Sequence, residues 1–539
     1  MAATGPSRSV VFSNRGIICS TSPQACSTGI MVLAEGGNAF DAAIAVAATE
    51  TVTLPPMCGL GGDVFALLYE ASSGKLWGVN GSGAAPTGAT PDFYWSKGYS
   101  NMPLNGPLAV SVPGEVDAWE TIVSRFCTRS LKELMQPAIG YAEEGFPISP
   151  KIGSSFTSAV KPLSLYPSTS AVLMKNGRGY RGGDLLVQKD LARSLRLVAE
   201  GGPEEFYRGD LARRMVKALR DAGGLFTEED FANHATEVYE PPISTTYRGH
   251  TVYQVRPPSQ GFVMLEILNL MEGYDLGSLG HNTAEAVHLM VEAKKLAFED
   301  RNRHAGDPRF VDWPLERFIS KEYAEERRRD IDPSRVSQAA VAVPEADGDT
   351  SYFCVADGQG NCVSFIHSLS QSFGSRFLAE GTGINFNNRA GRGFSLEQGH
   401  ANIIAPGKRT IHTLNCYMVF KDGEPVILGG TPGGDFQVQA NPQVVSNLLD
   451  HGMEAQDAVD APRWLSFPSG DPENIDKPFV VQMEPGFSQE TRAGLESMGH
   501  RTAYLDPASS KVQVIVRDPE SGLLHGASDP RGDGHAAAL

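Results

Sequence analysis

Hydroxyl side chains face one another across a hairpin predicted over residues 350–369. Two strand-like stretches flank residues 357–360, whose sequence Asp-Gly-Gln-Gly suits a three-residue loop made of a type I turn and a left-handed glycine. That loop places Ser368 opposite Thr350, and Ser370 lies two residues further along on the same face. Paired hydroxyls of this kind are candidates for nucleophilic chemistry.

The hairpin pattern leaves two alternatives open. A two-residue loop would place His367, rather than Ser368, opposite Thr350. Serine and threonine are also common on an ordinary polar sheet face, and the pattern alone favours that explanation over a catalytic one.

The composition excludes several classes of protein. The 539 residues include 46 basic and 63 acidic side chains, for a net charge of −17, which argues against binding to a nucleic-acid backbone. Seven cysteines without CxxC spacing are typical of reduced, mostly buried thiols. No apolar run suits a signal peptide or a membrane span of about 18 residues. We therefore expect a cytoplasmic protein with no nucleic-acid or membrane partner.

The glycines are concentrated in a few segments. The chain has 58 glycines, above the usual ~7%, and they cluster at residues 59–62, 80–83 and 429–434. Such clusters allow tight turns and a close approach of the backbone to a ligand. The sequence contains no Walker A, HExxH or GxSxG motif, nor a GxGxxG between a strand and a helix, so these common sites are excluded.

The elements that would position these residues change in type along the chain. The first 120 residues read as α/β, with a helix from Ala39 to about Thr49, capped by Asn38, and a strand from Val64 to Tyr69. Residues 131–335 read as mainly helical.

Further predictions concern the later elements. They are a capping box at residues 282–285, a mobile charged linker over residues 321–337, strands from Leu414 to Lys421 and around Val426, and a helix beginning at Asn441-Pro442. A domain boundary is predicted near residue 349, where the sequence pattern changes from one typical of helices to one typical of strands.

Several motifs in a fixed order carry a family resemblance. They are GGNAFDAAIA (36–45), GLGGD (59–63), VSVPGE (110–115), RPPSQG (256–261), AKKLAFEDRNRHAGDPRF (293–310), DTSYFCVADGQGNCVSF (349–365), NFNNRAGRGF (385–394), TPGG (431–434) and SDPRGDG (528–534). Through them nearly the whole chain resembles the gamma-glutamyltransferase (gamma-glutamyltranspeptidase) family of N-terminal nucleophile hydrolases.

The resemblance implies a fold and a self-processing step. The fold is α+β, a four-layer αββα sandwich. The chain would cleave itself between Asp349 and Thr350, and fragments 1–349 and 350–539 would stay associated as one interlocked unit. The resemblance implies no metal and no organic cofactor.

The resemblance also implies roles for single residues. Thr350 would be the nucleophile, and its new α-amine, with a pKa near 7.7–8.0, would serve as its own base. Ser368 would orient the threonine, with Ser370 as a nearby polar group. The backbone amides of Gly433 and Gly434 would form the oxyanion hole, where glycine permits close approach.

The substrate-binding positions depart from the family pattern. Ser82 stands where typical transferases have an arginine, and the related acylase pattern fails at Ala84. Arg389 and Arg392 occupy positions where acidic or amide residues are usual. A glutamyl α-ammonium would therefore meet like charges, whereas a substrate carboxylate would be favoured.

Two further departures concern the same pocket. His412 and Thr413 replace a serine pair, and the stretch between residues 392 and 412 is shorter than the lid-bearing loop of many transferases. We therefore expect a more open site. These features favour the acylase and oxamate-amidohydrolase branch of the family.

The sequence thus predicts a self-processing threonine hydrolase that cleaves an amide or acyl bond of a small, anionic substrate. Three alternatives stay open: a true gamma-glutamyl transferase or glutathione hydrolase, a carbon–carbon bond hydrolase of a secondary-metabolite pathway, and an unprocessed binding homologue. A homodimer is also compatible with the sequence.

Overall fold

The computed structural model describes residues 7–337, 349–467, 479–505 and 510–539. Its strands are β1 (Val11–Ser13), β2 (Gly16–Ser20), β3 (Asp63–Glu70), β4 (Lys75–Gly81), β5 (Phe146–Pro147), β6 (Leu185–Leu186), β7 (Glu237–Tyr239), β8 (Ile243–Tyr247), β9 (His250–Gln254), β10 (Ser351–Asp357), β11 (Cys362–Ser368), β12 (Leu378–Ala379), β13 (Ile384–Asn385), β14 (Tyr417–Lys421), β15 (Glu424–Gly430), β16 (Trp464–Phe467), β17 (Val480–Met483), β18 (Thr502–Tyr504), β19 (Gln513–Arg517), β20 (Leu524–Ser528) and β21 (His535–Ala538).

The helices lie before, between and after these strands. They are α1 (Pro23–Ala34), α2 (Ala39–Thr53), α3 (Pro91–Ser96), α4 (Glu115–Phe126), α5 (Leu131–Leu134), α6 (Gln136–Glu144), α7 (Pro150–Ser158), α8 (Val160–Leu163), α9 (Pro167–Leu173), α10 (Lys189–Tyr207), α11 (Asp210–Asp221), α12 (Glu228–Ala232), α13 (Gly261–Glu272), α14 (Leu276–Leu279), α15 (Ala284–His304), α16 (Leu315–Phe318), α17 (Lys321–Arg328), α18 (Arg389–Gly393), α19 (Gln437–Leu449), α20 (Ala455–Asp460) and α21 (Gln489–Ser497). Among the described residues, none of the helices is both long enough and apolar enough to cross a membrane.

Two antiparallel seven-stranded sheets form the centre of the molecule. The first has the order β21-β2-β10-β11-β3-β4-β7, and the second has the order β1-β20-β19-β15-β14-β9-β8. Alternate side chains of facing strands pack between the sheets, including Tyr352 and Ile366 from the first and Met418 and Leu428 from the second. The two sheets therefore share one inner core.

Helices cover the outer face of each sheet. Phe353 and Phe365 of the first sheet pack against α2 and α4 in one core cluster, and Val419 of the second sheet packs against α13, α15 and α19 in another. The order of layers is helix, sheet, sheet, helix. This arrangement confirms the predicted four-layer αββα sandwich of the α+β class.

The β10–β11 hairpin has the predicted register. Ser351 pairs with His367 and Ala356 pairs with Cys362, so the three-residue loop is correct and the two-residue alternative is wrong. The loop closes with a hydrogen bond of 3.1 Å from Asp357 N to Asn361 O. Gly360 has φ +89°, the left-handed conformation that this loop requires.

Helix α2 begins where the sequence indicated and ends later. Asn38 caps it, with Asp41 completing a capping box. The predicted end near Thr49 is too early, because every residue to Thr53 is buried and burial outweighs the low helix propensity of threonine and valine. All seven cysteines are free, and six of them are buried, as predicted.

Several other boundaries differ from the prediction. Thr283, not Asn282, caps α15, because Asn282 is left-handed and its amide nitrogen donates to Pro462 O. Helix α19 begins at Gln437 and carries Pro442 in its interior, so its predicted start is wrong. Strand β14 begins at Tyr417 rather than Leu414.

The middle of the chain is less uniformly helical than predicted. Strands β7, β8 and β9 interrupt it; β9 pairs with β14, and β8 forms the edge of the second sheet. The predicted charged linker is wrong for Lys321–Arg328, which forms α17, because Arg327 and Arg328 bond to Glu299 and to the Asn269 carbonyl. Residues 338–348, next to the predicted boundary at 349, lie outside the described part.

Candidate active site

Thr350 lies immediately before β10, which runs between β2 and β11 near the middle of the first sheet. Its hydroxyl donates to Ser368 Oγ at 3.1 Å. Ser368 in turn donates to the carbonyl oxygen of Asp349 at 2.8 Å. A serine hydroxyl therefore connects the threonine hydroxyl to the carbonyl of the peptide bond that precedes it.

Ser370 completes this network in a strained conformation. Its backbone N–H donates to Ser368 Oγ at 2.7 Å. Its φ of +88° is unusual for a residue other than glycine, and its buried hydroxyl has no hydrogen-bond partner among the described residues. Strain and an unsatisfied buried hydroxyl together are typical of functional positions.

Gly433 and Gly434 follow β15 and turn the backbone toward the same place. Both have positive φ, +122° and +58°. A Cβ atom on Gly434 would lie 2.3 Å from Arg392 Nη2, so a larger residue would displace that guanidinium. Gln260 Nε2 donates to Thr413 O at 2.9 Å and to Gly434 O at 3.3 Å, which brings the glycine pair and Thr413 together.

Two arginines of α18 are buried beside these residues. Arg389 is 2% exposed and Arg392 is 5% exposed. Arg389 Nη1 donates to Thr413 Oγ1 at 3.2 Å, and Arg392 Nη1 donates to Ser370 O at 3.1 Å. Arg392 therefore contacts the threonine–serine network directly, and Arg389 contacts Thr413 beside it.

Asp63 is an anion of the site that the sequence prediction missed. Its Oδ2 lies 3.3 Å from Arg389 Nε and 3.2 Å from His412 Nε2, and its Oδ1 accepts from Gly83 N at 3.3 Å. Burial alone would raise the pKa of Asp63, but the contacts with His412, Arg389 and Gly83 outweigh it and lower the pKa. Asp63 is therefore ionised at neutral pH.

His412 is a neutral member of the same cluster. Burial, and then the charge of Arg389, lower its pKa to about 4. Its Nε2 therefore carries the proton that is donated to Asp63, and its Nδ1 has no hydrogen-bond partner among the described residues. His412 therefore adds no positive charge to the two arginines beside it.

Ser82 lies next to this cluster, but its hydroxyl points elsewhere. The hydroxyl donates to Asn80 Oδ1 at 2.6 Å, while the backbone of the following residue, Gly83, contacts Asp63. A substrate-binding role for the Ser82 side chain stays a prediction.

A second polar group, also missed from the sequence, lies on the opposite face of β11. His367 Nε2 lies 2.7 Å from Glu50 Oε2, and His367 Nδ1 lies 2.8 Å from Glu115 Oε1. These residues come from three distant segments, so no sequence spacing could have joined them. Glu115 lies in the VSVPGE motif at residues 110–115. That motif was the one feature of the sequence that pointed to this group.

Two groups of the described residues offer donor atoms of the kinds that bind metals: Glu50 with Cys58 and His367, and His288 with Glu292 and His500. In the first, the nitrogen–oxygen distance of 2.7 Å is a hydrogen bond, shorter than the roughly 3.3 Å between neighbouring ligands of a tetrahedral zinc. In the second, His288 Nδ1 lies 2.7 Å from His500 Nε2, again at hydrogen-bond distance. Neither geometry requires a metal ion.

Comparison with known proteins identifies the family to which this chain belongs. The family profile described as Gamma-glutamyltranspeptidase matches residues 25–539. The chain belongs to the gamma-glutamyltranspeptidase family. It is 39% identical to the glutathione hydrolase-like YwrD proenzyme of Bacillus subtilis (strain 168), over 98% of this chain and 99% of that protein.

Other relatives of this gamma-glutamyltranspeptidase-family chain carry different activities in their names. An oxamate amidohydrolase proenzyme of Klebsiella pneumoniae is 33% identical, over 97% of this chain and 98% of the relative. The crystal structure of a cephalosporin acylase from Bacillus halodurans is 37% identical, with a TM-score of 0.92, over 100% of this chain and 98% of that one. The chain is therefore an enzyme of the N-terminal nucleophile hydrolase type, and its family supports hydrolysis of amide bonds.

Proposed function

We propose that this enzyme cleaves itself before Thr350 and then uses Thr350 to hydrolyse an amide of a small substrate that carries a carboxylate. One observation carries the proposal: hydrogen bonds of 3.1, 2.7 and 3.1 Å join buried Arg392 through Ser370 and Ser368 to the Thr350 hydroxyl. A cation for a substrate anion is thus linked to a nucleophile. The names of relatives as proenzymes support processing.

Self-cleavage follows from the bonds around Ser368. The Thr350 oxygen attacks the carbonyl carbon of Asp349, while Ser368 takes its proton and donates to the carbonyl oxygen. The carbon–nitrogen bond breaks, the threonine nitrogen takes the proton, and an ester joins Asp349 to the threonine oxygen. Water hydrolyses that ester, leaving a carboxylate at Asp349 and a free amine and hydroxyl at Thr350.

Turnover then uses the group that processing creates. The α-amine of Thr350, with a pKa near 7.7–8.0, accepts the hydroxyl proton as the oxygen attacks the substrate carbonyl. Backbone amides of Gly433 and Gly434 stabilise the oxyanion, a contribution of about 3–4 kcal/mol for a donor of this kind. The amine product leaves with the proton, and water hydrolyses the acyl-enzyme.

The charge of the pocket favours an anionic acyl group. Arg389 and Arg392 place two buried guanidinium groups in the pocket, and Asp63 pairs with Arg389. A substrate carboxylate can pair with a guanidinium through two hydrogen bonds. Relatives named acylase and amidohydrolase are consistent with such a substrate.

A gamma-glutamyl substrate is the second candidate, and Asp63 favours it. A gamma-glutamyl head group carries a carboxylate and an ammonium on one carbon atom. Arg389 and Asp63, whose charged atoms lie 3.3 Å apart, offer one group for each charge. The relative named glutathione hydrolase-like is consistent with this candidate.

Three matched anilides separate the candidates. Glutaryl, gamma-glutamyl and butyryl p-nitroanilide share a chain of four carbon atoms that begins at the carbonyl carbon. The fourth carbon carries a carboxylate in the glutaryl compound, a carboxylate and an ammonium in the gamma-glutamyl compound, and neither in the butyryl compound. We expect the highest kcat/KM with the glutaryl compound. A preference for the gamma-glutamyl compound would select the second candidate, and a preference for butyryl would contradict both.

Two variants test the roles of single residues in the same assay. Thr350→Ala should leave one band at the full 57.8 kDa on a denaturing gel and abolish anilide release. Arg389→Ala should raise KM for the glutaryl compound at least tenfold and leave butyryl hydrolysis nearly unchanged. If the glutaryl KM does not change, Arg389 does not hold the carboxylate.

A further inference from the structure

The imidazole of His367 is held between two carboxylates in the interior of the protein. Its two ring nitrogens lie 2.7 Å from Glu50 and 2.8 Å from Glu115, and all three side chains are 0% exposed. Both partners belong to residues 1–349, whereas His367 belongs to residues 350–539. The group therefore joins the two predicted fragments.

Glu50 reaches both strands that flank the strand of the nucleophile. Its Oε2 contacts His367 on β11, and its Oε1 accepts from Ser20 Oγ on β2 at 2.5 Å. His367 pairs with Ser351 and Ser20 pairs with Phe353. One carboxylate thus connects the neighbours of β10 on both sides, within three residues of Thr350.

The remaining contacts fix the imidazole ring. Glu115 begins α4, and its Oε1 also accepts from Trp119 Nε1 at 3.1 Å. Phe353 and Phe365 meet the His367 ring edge to face. Burial alone would lower the pKa of His367, but Cys58 and Glu115 outweigh it and raise the pKa well above 6.5. With a glutamate oxygen at hydrogen-bond distance from each ring nitrogen, the geometry favours a ring that carries both protons.

His367 and Ser368 are consecutive residues on opposite faces of β11. The position of the Ser368 backbone therefore follows the position of the His367 ring. Ser368 makes three hydrogen bonds of 2.7 to 3.1 Å around Thr350. A displacement of 1 Å would break them, and misplacement of this size can lower a rate about 100-fold.

We propose that Glu50, His367 and Glu115 form a buried brace that positions Ser368, and through it Thr350, for self-cleavage and turnover. His367 is then a positioning residue, because it touches neither the substrate nor the reacting atoms. The inference rests on the proposed function of Thr350 as the nucleophile.

The test compares His367→Gln with a matched control, Asp450→Asn. Asp450 is also a buried carboxylate in an ion pair, 2.6 Å from Arg248 Nε, and its hydrogen bonds with Tyr247, Arg248 and Ser446 lie outside the β10–β11 hairpin. Loss of the intact chain on denaturing gels gives the processing rate, kcat and KM follow on the nicked protein, and urea unfolding gives the stability of each variant.

We expect His367→Gln to slow processing at least tenfold and to lower kcat with KM within about twofold of wild type, because the pocket arginines are untouched. Asp450→Asn should lose stability without either kinetic change. Glu50→Gln, which keeps one acceptor oxygen, should process faster than Glu50→Ala. Processing of His367→Gln at the wild-type rate, or slowed only in proportion to its unfolded fraction, would overturn the brace.

An NMR measurement keeps the test decisive if His367→Gln fails to fold. In intact Thr350→Ala protein with 15N-labelled histidine, both ring nitrogens of His367 should be protonated at pH 7. A ring with one proton would overturn the brace. If the wild-type protein is never cut before Thr350, the proposed function is contradicted. The NMR result does not depend on cleavage and tests the brace alone.

Discussion

Gly434 lies against the guanidinium of Arg392, which would have to move to make room for a side chain. An added Cβ would lie 2.3 Å from Arg392 Nη2, and the residue has φ +58°. Gly452 offers a matched control, with φ +61° and open space around its missing Cβ. The two glycines share a backbone conformation and differ in what surrounds them.

Alanine substitutions at the two positions should therefore separate the cost of backbone strain to stability from the effect on catalytic activity. A left-handed alanine costs about 1–2 kcal/mol of stability, so both Gly434→Ala and Gly452→Ala should lose that much in urea unfolding. Only Gly434→Ala should lose activity, at least 100-fold in kcat/KM, because Arg392 is displaced and an oxyanion donor moves with it. Equal activity in the two variants would refute a catalytic role for this turn.

Residues joined by local geometry could be predicted from the sequence, and residues joined by the tertiary fold could not. The loop at 357–360 sets the register, so the pairing of Thr350 with Ser368 followed from the sequence alone. Asp63 meets His412 across 349 positions, and Glu50 meets His367 across 317. Such contacts depend on how the sheets stack, for which sequence spacing gives no signal.

At the scale of elements, Asp357 connects the hairpin to a helix. Its Oδ1 accepts from Gln359 N at 2.9 Å and Asn361 N at 3.0 Å, and its Oδ2 accepts from Ala39 N at 2.8 Å. One carboxylate thus closes the β10–β11 loop and also satisfies the first amide of α2.

Asp357→Ala should destabilise the protein by about 3 kcal/mol, because it leaves buried amides without an acceptor. Urea unfolding of the uncut Thr350→Ala background measures this without interference from processing. Asp518 is a control, since it accepts from Glu520 N and Ser521 N in an exposed turn. Asp518→Ala should lose less stability, and an equal loss would mean that the link to α2 contributes nothing.

The elements missed from the sequence had weak local signals or strong tertiary support. The β8–β9 hairpin turns at Arg248 and Gly249, both with positive φ, and this two-residue turn was a signal that the helical interpretation of residues 131–335 overlooked. Helix α19 continues through Pro442 because its residues are buried against the second sheet. Local propensity argues only against α19, since β8 and β9 are rich in β-branched and aromatic residues.

At the scale of the whole molecule, the two predicted fragments interleave within both sheets. In the first sheet, β10 pairs with β2 and β11 pairs with β3, so the hairpin of residues 350–539 lies between strands of residues 1–349. In the second, β14 pairs with β9. Separation would break several backbone ladders and open the core between the sheets.

Cleaved protein should therefore behave as one particle until it unfolds. Native gel filtration should give a single peak at an unchanged volume before and after cleavage. A denaturing gel of that peak should show two bands, about 37 and 20 kDa in proportion to fragment lengths within 57.8 kDa. Release of either fragment without denaturant would contradict the interleaved assembly.

The buried histidines make the stability of the whole molecule sensitive to acid. Burial lowers the pKa of His234, His412 and His500 to about 4, against about 6.5 in the unfolded chain. Between pH 6.5 and 4 the unfolded chain therefore binds more protons than the folded one, so stability falls as the pH falls. His367 has a raised pKa, and its contribution is already complete below pH 6.5.

Thermal unfolding of uncut Thr350→Ala protein across this range tests the sign and the source of the effect. The midpoint should fall steadily from pH 6.5 to pH 4.5. His234→Phe keeps the stacking on Tyr207, whose ring lies 5.1 Å away, and removes one titrating group, so its midpoint should fall by a few degrees less. Parallel curves for the two proteins would show that His234 binds its proton equally in both states, and the acid sensitivity would then have to come from other groups.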